Sequence, residues 1–310
     1  MTSPSTPTRL PIDPNHVALQ FARRGDLSNA QFLYAEIAQR MDQRLKLIRL
    51  QPAVILDAGC GGGQQLSLLH TRYPRAHYYG LDHCSALLVH AQRRAQELWP
   101  RRMPGWLLKL MGRTAPARWI QADLATTNLA PESLDLVWSN LSLHWHPAPH
   151  DVLQEWGRVL RPNGLVFFSC FGPATLKELR SALHAATLRT RTPDFVDMHD
   201  FGDLLVEKGF SDPVMDQEVL TLTYETPEKL LADVKALGGN AAVGRVAGLV
   251  GKAWRDRLMQ ALEAQRQPDG RLHLTIEVAY GHAWRSALRR TPSGETRISV
   301  SAIGRKSAKE

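Results

Sequence analysis

Short apolar runs alternate with helix-like segments through the middle of the chain. The apolar runs have the length of strands, and the segments between them carry apolar residues at three- and four-residue steps, as helices packed on a sheet do. Five such runs lie at residues 53–57, 77–82, 118–124, 134–140 and 165–170. This alternation predicts an α/β fold with an open, doubly wound parallel sheet.

The pattern after residue 171 is less regular and predicts further strands. Residues 220–224 alternate between apolar and polar side chains, and an Asp269-Gly270 turn leads into a second run at 272–280. A helical region at 226–266, interrupted by glycines at 238 and 239, separates these two strands, and residues 298–303 have the pattern of a further hairpin strand. We therefore expect a mostly parallel, seven-stranded, Rossmann-like sheet with helical insertions.

These patterns divide the chain into five parts. Residues 1–15 are polar and proline-rich, which predicts a disordered N-terminus. Residues 16–50 have helical periodicity and predict one or two helices before the first strand. Residues 51–171 are the expected ligand-binding core, residues 172–285 the later helices and strands, and residues 286–310 a basic C-terminal tail.

Composition points to a globular protein in solution. The chain has 310 residues, of which 44% are hydrophobic and 22% charged. No apolar run approaches the roughly 18 residues that span a bilayer, and the first seven residues lack the apolar part of a secretory signal. Cys60, Cys84 and Cys170 are an odd number without zinc-ligand spacing. We expect reduced thiols, a cytoplasmic location and no metal site.

The formal charge of +8 is uneven along the chain. Between residues 89 and 120, seven basic residues face the single acid Glu97, and a second basic region runs from residue 285 to 309. A basic surface attracts nucleic acid, acidic lipid or an acidic protein. The alternative is a solvated face that serves only solubility.

A glycine-rich stretch follows the first predicted strand. Asp57 is followed by Gly59, Gly61 and Gly63, and a helix begins soon after. Glycine allows a ligand to approach the backbone closely, and free N–H groups at a helix start favour a polar or anionic ligand. A plain turn between two core elements is the alternative.

Polar side chains also end the neighbouring strands. Asp82 comes 25 positions after Asp57, a spacing that suits a carboxylate bound to a ribose, although Asp82 could merely cap the next helix. Asp123 and Asn140 end the third and fourth strands. Ligands of doubly wound sheets bind beyond the carboxyl ends of the strands, so this shared placement predicts a ligand site there.

The order and spacing of these motifs over residues 45–170 resemble those of the class I S-adenosylmethionine-dependent methyltransferases. The resemblance implies that the glycine turn lies against the methionine part of S-adenosyl-L-methionine. It implies that Asp82 binds the ribose hydroxyls and that Asp123, with Leu124 beside it, reads the adenine amine. Asn140 and Leu141 match the motif that lies beside the methyl-bearing sulfur.

A narrower resemblance covers nearly all of the chain past residue 27. The segments 171–179, 195–205, 209–216, 237–240 and 280–284 are similar to those of the malonyl-acyl-carrier-protein O-methyltransferases of biotin synthesis. This resemblance implies that the free carboxylate of a malonyl thioester on acyl carrier protein, or on coenzyme A, is esterified. It also implies no nucleic-acid or membrane partner.

The sequence departs from that pattern at its N-terminal helix. The residues Phe21-Ala22-Arg23-Arg24 lack the Tyr-Asp that commonly follows. A related mitochondrial branch acts as an arginine hydroxylase in complex I assembly, so an assembly factor of that kind is one alternative. A methyltransferase for another small acid, and a non-catalytic binding protein, are others. A protein that acts on nucleic acid through its basic face is a further alternative. It is disfavoured because the strand-four end, Asn140-Leu141-Ser142-Leu143, differs from the Asn/Asp-Pro-Pro-Tyr/Phe pattern of nucleic-acid amino-methylating enzymes.

The chemistry of carboxylate methylation needs few special groups. A malonyl carboxylate is ionised near neutral pH and can attack a sulfonium methyl directly, so alignment matters more than a general base. A cation should hold the carboxylate, ideally a bidentate arginine. Arg180 is one candidate, and Arg189 and Arg191 are others.

Two further positions, Trp145 and His199, have two interpretations each. Trp145 lies between His144 and His146, where a substrate-pocket wall is favoured over a metal site. His199 beside Asp200 could be a base or part of a helix cap.

The basic residues Arg101, Arg102, Lys109 and Arg113 are expected to dock an acidic acyl carrier protein, because opposite charges steer association.

Overall fold

The computed structural model of the protein describes residues 9–24, 30–98, 117–246 and 248–287. Among these residues, seven strands form one sheet in the order β3-β2-β1-β4-β5-β7-β6. Strands β1 to β5 pair in parallel, and β7 is antiparallel to both β5 and β6. The predicted fold class is confirmed.

The strand bounds agree with the prediction in the first half of the chain. They are β1 Val54–Ala58, β2 His77–Asp82, β3 Arg118–Gln121, β4 Leu134–Asn140, β5 Leu160–Phe171, β6 Phe210–Tyr224 and β7 Leu272–Arg285. β3 ends early because the Asp123 side chain accepts a hydrogen bond from Ala125 N and turns the chain. The predicted turn at 161–164 is an irregularity within β5, with Asn163 at a positive φ of 63°.

β6 is ten residues longer at its start than the alternating pattern at 220–224 predicts. Its first half contains Asp212, Pro213 and Asp216, which sequence rules assign to turns. The strand accepts them because β6 lies at the edge of the sheet, where proline and charge are tolerated. The pairing with β7 shifts between Ser211 and Val214.

The helices flank the sheet on both faces. Their bounds are α1 Pro14–Ala22, α2 Gln31–Leu45, α3 Leu66–Arg72, α4 Ser85–Leu98, α5 Pro149–Val159, α6 Lys177–Ala185, α7 Met198–Glu207, α8 Pro227–Leu237 and α9 Lys252–Glu263. The helical region predicted at 226–266 is thus two helices, since the chain leaves the helix at Gly238, whose φ is +153°. None of the helices in the described part of the chain is long and apolar enough to cross a membrane.

Two apolar cores lie on opposite faces of the sheet. Successive strand residues point to opposite faces, so Ile55, Leu136 and Phe167 belong to one core and their neighbours Leu56, Val137 and Phe168 to the other. Helices α2, α3, α6, α8 and α9 cover the first face, and α1, α5 and α7 cover the second. Because both faces are covered, the strands read as continuous apolar runs.

Part of the N-terminal segment that was predicted to be disordered, residues 9–15, has a defined structure. Residues 1–8 lie outside the described residues, but residues 9–15, also expected to be disordered, have a defined course. Leu10 N donates to Pro147 O at 2.7 Å, and Asp13 N donates to Ala241 O at 2.9 Å. Leu10 and Ile12 are buried, and this burial of two aliphatic side chains is what a purely compositional argument overlooks.

Several sequence-based expectations fall outside the described residues. These are most of the basic insertion, with Arg101, Arg102, Lys109 and Arg113, the hairpin strand at 298–303, and the basic tail from residue 288 onward.

A buried carboxylate ties the loop after β3 to α5. Glu155 Oε1 accepts hydrogen bonds from Thr127 N at 2.9 Å and from Thr127 Oγ1 at 2.5 Å. Arg158 donates to both of its oxygens, at 2.6 and 2.8 Å. Burial acts to raise the pKa of Glu155, but the bonds from Arg158 and Thr127 outweigh it and hold the pKa below its usual value.

We expect Glu155→Gln to lower the free energy of unfolding by about 2 kcal/mol near neutral pH, because charge-assisted hydrogen bonds are lost. The folded-state pKa is depressed, so this contribution is complete above the unfolded-state pKa of about 4.3 and is lost progressively as the pH falls from there through the folded-state pKa. Urea unfolding at pH 7 and pH 3.5 measures both effects. Glu207→Gln is the control, since Glu207 is 62% exposed and its ion pair with Lys208 lies at the surface. A loss of equal size at both pH values would contradict the assignment.

Candidate active site at the carboxyl ends of the strands

A cleft of about 900 Å³, counting its open mouth, lies beyond the carboxyl ends of β1, β2 and β4. Seven of the nine residues predicted to bind a cofactor line it: Gly59, Gly61, Asp82, Asp123, Leu124, Asn140 and Leu141. α1 and α2 cover the opening with Val17, Phe21 and Tyr34. The structure therefore brings the strand-end residues together, as their order predicted.

The other two predicted residues, Asp57 and Gly63, lie beneath the cleft. Gly63 has a φ of +72°, and a side chain there would meet Trp119 and Ala91 at 3.0 and 3.1 Å. Asp57 is buried, and its Oδ2 accepts a hydrogen bond from Tyr78 Oη at 2.5 Å. Asp57 Oδ1 has no hydrogen-bond partner among the described residues. Both residues support the loop from below.

Burial raises the pKa of Asp57 to about 7, although the hydrogen bond from Tyr78 acts in the other direction. Because the folded-state pKa lies above the ordinary value of 3.8, the protonated form is favoured by folding.

We expect the contribution of Asp57 to the free energy of unfolding to fall as the pH rises from 3.8 to about 7. The reason is that folding favours the protonated side chain, which ionises over this range. Asp57→Asn removes this titration. The free energy of unfolding of wild type minus that of Asp57→Asn should therefore fall from pH 4 to pH 7 and then stay constant. Urea denaturation across this range measures it, and a pH-independent difference would show that Asp57 does not titrate there.

Backbone N–H groups of the glycine loop donate hydrogen bonds to the end of β2. Gly59 N and Cys60 N donate to Leu81 O at 2.8 and 2.9 Å, and Gly61 N donates to Asp82 Oδ2 at 2.9 Å. These N–H groups are therefore occupied within the protein, and the expectation of free donors for an anion is wrong for them. What the loop offers is close approach: Gly59 has a φ of +78°, and a Cβ there would lie 2.3 Å from Ser142 Cβ.

Asp82 joins the loop to the start of α4. Besides Gly61 N, it accepts a hydrogen bond from Cys84 N at 2.8 Å through Oδ1. It therefore does stabilise the start of α4, the alternative role noted from sequence, and it also lines the cleft. Burial raises the pKa of Asp82, while His83 and the backbone donors oppose that rise. Each carboxylate oxygen keeps a second lone pair for a ligand hydroxyl.

Asp123 pairs with a residue that sequence reasoning set aside. Asp123 Oδ1 lies 3.1 Å from His146 Nε2, and this hydrogen bond is the largest cause that lowers the pKa of Asp123. The pair links the end of β3 to the turn after β4. Because the Asp123 side chain is 53% exposed, it forms the rim of the cleft rather than its floor.

Asn140 and Leu141 connect three elements at the end of β4. Asn140 Nδ2 donates to Tyr34 O at 2.9 Å, and its Oδ1 accepts from Ser169 Oγ at 2.9 Å. Leu141 adopts a φ of +52°, which is strained for a branched side chain. Its N–H group is fixed by Ser169. Asn140 thus holds α2 over the cleft.

Of the predicted substrate residues, only Trp145 lines the cleft. Trp145 lines the cleft and also a small apolar cavity behind it. Arg180 does not line the cleft; its Nη1 and Nη2 donate to Thr175 O and Pro173 O at 2.6 and 2.5 Å. His199 is 79% exposed and hydrogen-bonds Asp197, the N-cap of α7. The structure thus favours the capping interpretation of His199 and leaves Arg180 committed to backbone carbonyls.

His144 is buried and hydrogen-bonded to the backbone. Its Nδ1 accepts a hydrogen bond from Phe171 N at 3.3 Å. Burial lowers the pKa of His144 to about 3, so the ring is neutral at physiological pH.

The family resemblance implies an N-terminal helix over the cofactor, but sequence reasoning assigned none of its residues in this chain to the cleft. Phe21 and Tyr34 line the cleft, and Phe21 packs edge-on against Trp145 with ring centroids 5.9 Å apart. Tyr34 shares helical spacing with the core residues Ile37 and Met41, so it was indistinguishable from a core position. Phe21, two positions before Arg23, was the one feature of the sequence that could have indicated this role.

The cleft combines carboxylates, an amide, aromatic rings and aliphatic walls. Asp82 and Asp123 accept hydrogen bonds from hydroxyl or amine groups, while Leu87, Leu124 and Leu141 offer apolar contact. This set of groups fits a ligand with a sugar diol, a flat heterocycle and a polar tail.

Comparison with known proteins extends this geometry. The family described as "Methyltransferase domain" matches residues 56–168. A malonyl-[acyl-carrier protein] O-methyltransferase from Laribacter hongkongensis is 44% identical over 89% of this chain and 91% of its own. One with the same name from Gallionella capsiferriformans is 42% identical over 94% of this chain and 97% of its own.

Solved structures show the same fold at low identity. The YcgJ protein of Bacillus subtilis matches with a TM-score of 0.56 at 12% identity, over 80% of this chain and 98% of its own. A putative methyltransferase from Bacillus halodurans matches with a TM-score of 0.55 at 12% identity, over 80% of this chain and all of its own.

Proposed function

The chain belongs to the family of the malonyl-[acyl-carrier protein] O-methyltransferases, and we propose that it methylates the free carboxylate of a malonyl thioester carried by acyl carrier protein. It is an S-adenosylmethionine-dependent methyltransferase. Chief support for the substrate comes from the extent of the match. The relatives align not only with the domain at 56–168 but also with the later helices and strands, several residues of which line the apolar cavity behind Trp145.

S-adenosylmethionine supplies a methyl group on a sulfonium sulfur: a carboxylate oxygen forms a bond to the methyl carbon while the carbon–sulfur bond breaks and its electron pair stays on sulfur. The carboxylate is already ionised, so no proton is removed. The protein's task is to align the two groups and exclude water. In our proposal Asp82 holds the ribose hydroxyls, Asp123 the adenine amine, and the loop at Gly59 the methionine part.

The aromatic side chains over the cleft have a separate task. Phe21, Tyr34 and Trp145 line the cleft. In our proposal they cover its methyl-transfer end, where exclusion of water strengthens the attraction between a carboxylate and a sulfonium. The neutral, buried His144 beside them fits a reaction without a general base.

Transfer of labelled methyl from S-adenosylmethionine to malonyl-acyl carrier protein tests the proposal. We expect a base-labile methyl ester with the malonyl carrier and none with acetyl carrier, which has the same thioester but no free carboxylate. Absence of the ester with a carrier that other enzymes accept would contradict the proposal. It would favour the assembly-factor or non-catalytic alternative.

We further propose that the basic insertion docks the carrier in the cytoplasm, in biotin synthesis. Acyl carrier proteins are acidic, and the insertion follows α4, whose Arg93 and Arg94 continue the basic stretch. The described cysteines are all buried and free, which fits a reducing compartment.

Reversal of the charges at Arg101, Arg102, Lys109 and Arg113 should raise KM for malonyl-acyl carrier protein about tenfold, because several rim charge pairs of some tenths of a kcal/mol are lost. KM for malonyl-CoA should change less than twofold. Reversal at Arg49 and Arg75, which are exposed and lie outside the insertion, is the control. Equal effects on the two substrates would contradict docking by the insertion.

A further inference from the structure

Arg24, two residues past the end of α1, has a buried guanidinium group without an ion-pair partner in the described part of the chain. Its Nε, Nη1 and Nη2 atoms are shielded from solvent and have no hydrogen-bond partner among the described residues. The guanidinium carbon lies 4.6 Å from the centroid of the Phe21 ring. Buried polar groups almost always find a partner in the folded protein, so three unsatisfied nitrogens on one side chain require an explanation.

The cost of this arrangement is electrostatic. Burial lowers the pKa of Arg24, which reflects the loss of solvation for the cation, yet a guanidinium stays protonated in proteins. A desolvated cation with five N–H donors in a planar fork is suited to a carboxylate, which it can bind through two parallel hydrogen bonds. The other arginines near the opening lack this property. Arg245 is paired with Asp13 at 3.1 Å, and Arg189 and Arg191 are exposed.

Arg24 lies between a side chain of the cofactor cleft, Phe21, and Gly239. Phe21 and Tyr34, its neighbours, line the cleft. On its other side, a Cβ on Gly239 would lie 3.7 Å from Arg24 Nη2. Gly239 borders both an apolar cavity behind Trp145 and a long surface groove.

Tyr34 provides a second polar group at this junction. Burial raises the pKa of Tyr34 to about 12, and the charge of Arg24 partly opposes that rise. The phenol is therefore neutral at physiological pH. Its hydroxyl has a long hydrogen bond, 3.4 Å, to Leu237 O.

We propose that the Arg24 guanidinium binds the substrate carboxylate and turns one of its oxygens toward the methyl donor in the cleft. This inference rests on the proposed function and adds the binding site for the acid. The groove beyond Gly239, lined by Gln20, Lys235, Asn240 and Trp254 among others, then leads the thioester arm away from the reacting end. Arg24 takes the role for which sequence reasoning considered Arg180.

The same contact distinguishes substrate from product. Methylation converts the carboxylate into a neutral ester, so the product loses the ion pair with Arg24 while it keeps the thioester arm. Wild type should therefore bind malonyl-CoA roughly 10- to 100-fold more tightly than its methyl ester, the range expected for hydrogen bonds between charged groups.

Titration calorimetry with S-adenosylhomocysteine present measures this ratio. In Arg24→Met we expect the two affinities to agree within about twofold, and kcat/KM for methyl transfer to fall roughly 100- to 1,000-fold, as when one partner of a buried charge pair is removed. Arg24→Lys keeps the charge but not the fork and should fall between. Arg23→Met is the matched control, since Arg23 is adjacent and exposed. An unchanged affinity for S-adenosylhomocysteine shows that each variant is folded.

The outcomes separate the two proposals. A wild type that methylates malonyl carrier, with an Arg24→Met variant that keeps both its rate and its preference for the acid, overturns the Arg24 site alone. A wild type that forms no ester overturns the proposed function and the malonyl site with it. Asp26 lies outside the described residues. An Arg24 that only paired with Asp26 would give equal losses of stability in Asp26→Asn and Arg24→Met. The preference for the acid would then persist in both variants, which would overturn the Arg24 site.

Discussion

Gly59→Ala is expected to reduce the affinity for S-adenosylmethionine by at least about 100-fold and to lower the melting temperature. Two effects add. A side chain at a φ of +78° costs about 1 kcal/mol or more. The new Cβ would also lie 2.3 Å from Ser142 Cβ and 2.4 Å from Ser142 Oγ, and overpacking of this kind costs about 1–3 kcal/mol.

Ser142 cannot move aside easily. Its Oγ lies 2.9 Å from Ala58 O and 2.5 Å from Ser139 Oγ, so it is held at the end of β4. The loop must therefore shift, and the cofactor contact shifts with it. Calorimetric titration with S-adenosylhomocysteine and thermal unfolding measure the two consequences.

Gly62→Ala is the matched control. Gly62 lies in the same loop but has no positive φ, and the nearest atom to its Cβ position is the flexible end of Gln64 at 3.1 Å. We expect a change in affinity within about threefold. The double variant Gly59→Ala/Ser142→Gly should recover part of the affinity by removing the contact. Equal losses in Gly59→Ala and Gly62→Ala would contradict the steric argument.

Asp82→Ala is expected to weaken S-adenosylhomocysteine binding roughly 100- to 1,000-fold, since two charge-assisted hydrogen bonds to the ribose would be lost. The variant also leaves Gly61 N and Cys84 N without their acceptor, so stability should fall as well. Two effects on one variant need to be separated.

A ligand without the ribose 2′-hydroxyl separates them. If Asp82 binds the diol, the 2′-deoxy form of the ligand binds wild type much more weakly than the ribose form, whereas Asp82→Ala binds both alike. Asp123→Asn, at the exposed rim, should keep the wild-type ratio. A ratio that survives in Asp82→Ala would limit Asp82 to a structural role at the glycine loop.

The sheet was predictable from sequence because its strands are buried on both faces. An apolar run followed by Asp57, Asp82 or Asn140 contains both the strand and its polar end, so local pattern sufficed to predict the cleft. β6 was harder because an edge strand tolerates Pro213 and Asp216, which local rules assign to a turn. The N-terminal segment was missed because its burial depends on Pro147 and Ala241, more than a hundred residues away.

The acid-binding residue shows the same limit. Arg180 and Arg24 are both arginines near helix ends, and sequence gives no reason to prefer one. Only the fold shows that the two terminal nitrogens of Arg180 are used by nearby carbonyl groups, whereas those of Arg24 are buried and free of any partner in the described residues. Satisfaction of hydrogen bonds is a property of tertiary structure and has no local signature.

The placement of β7 has a consequence for synthesis of the protein. β7, Leu272–Arg285, is the last of the described strands to leave the ribosome but lies inside the sheet, between β5 and β6. Until it emerges, β5 has an open edge and the fifteen residues of β6 have no strand to pair with. Unpaired edges of this kind promote aggregation. Chains interrupted before residue 272 should therefore depend on chaperones far more than the complete chain does.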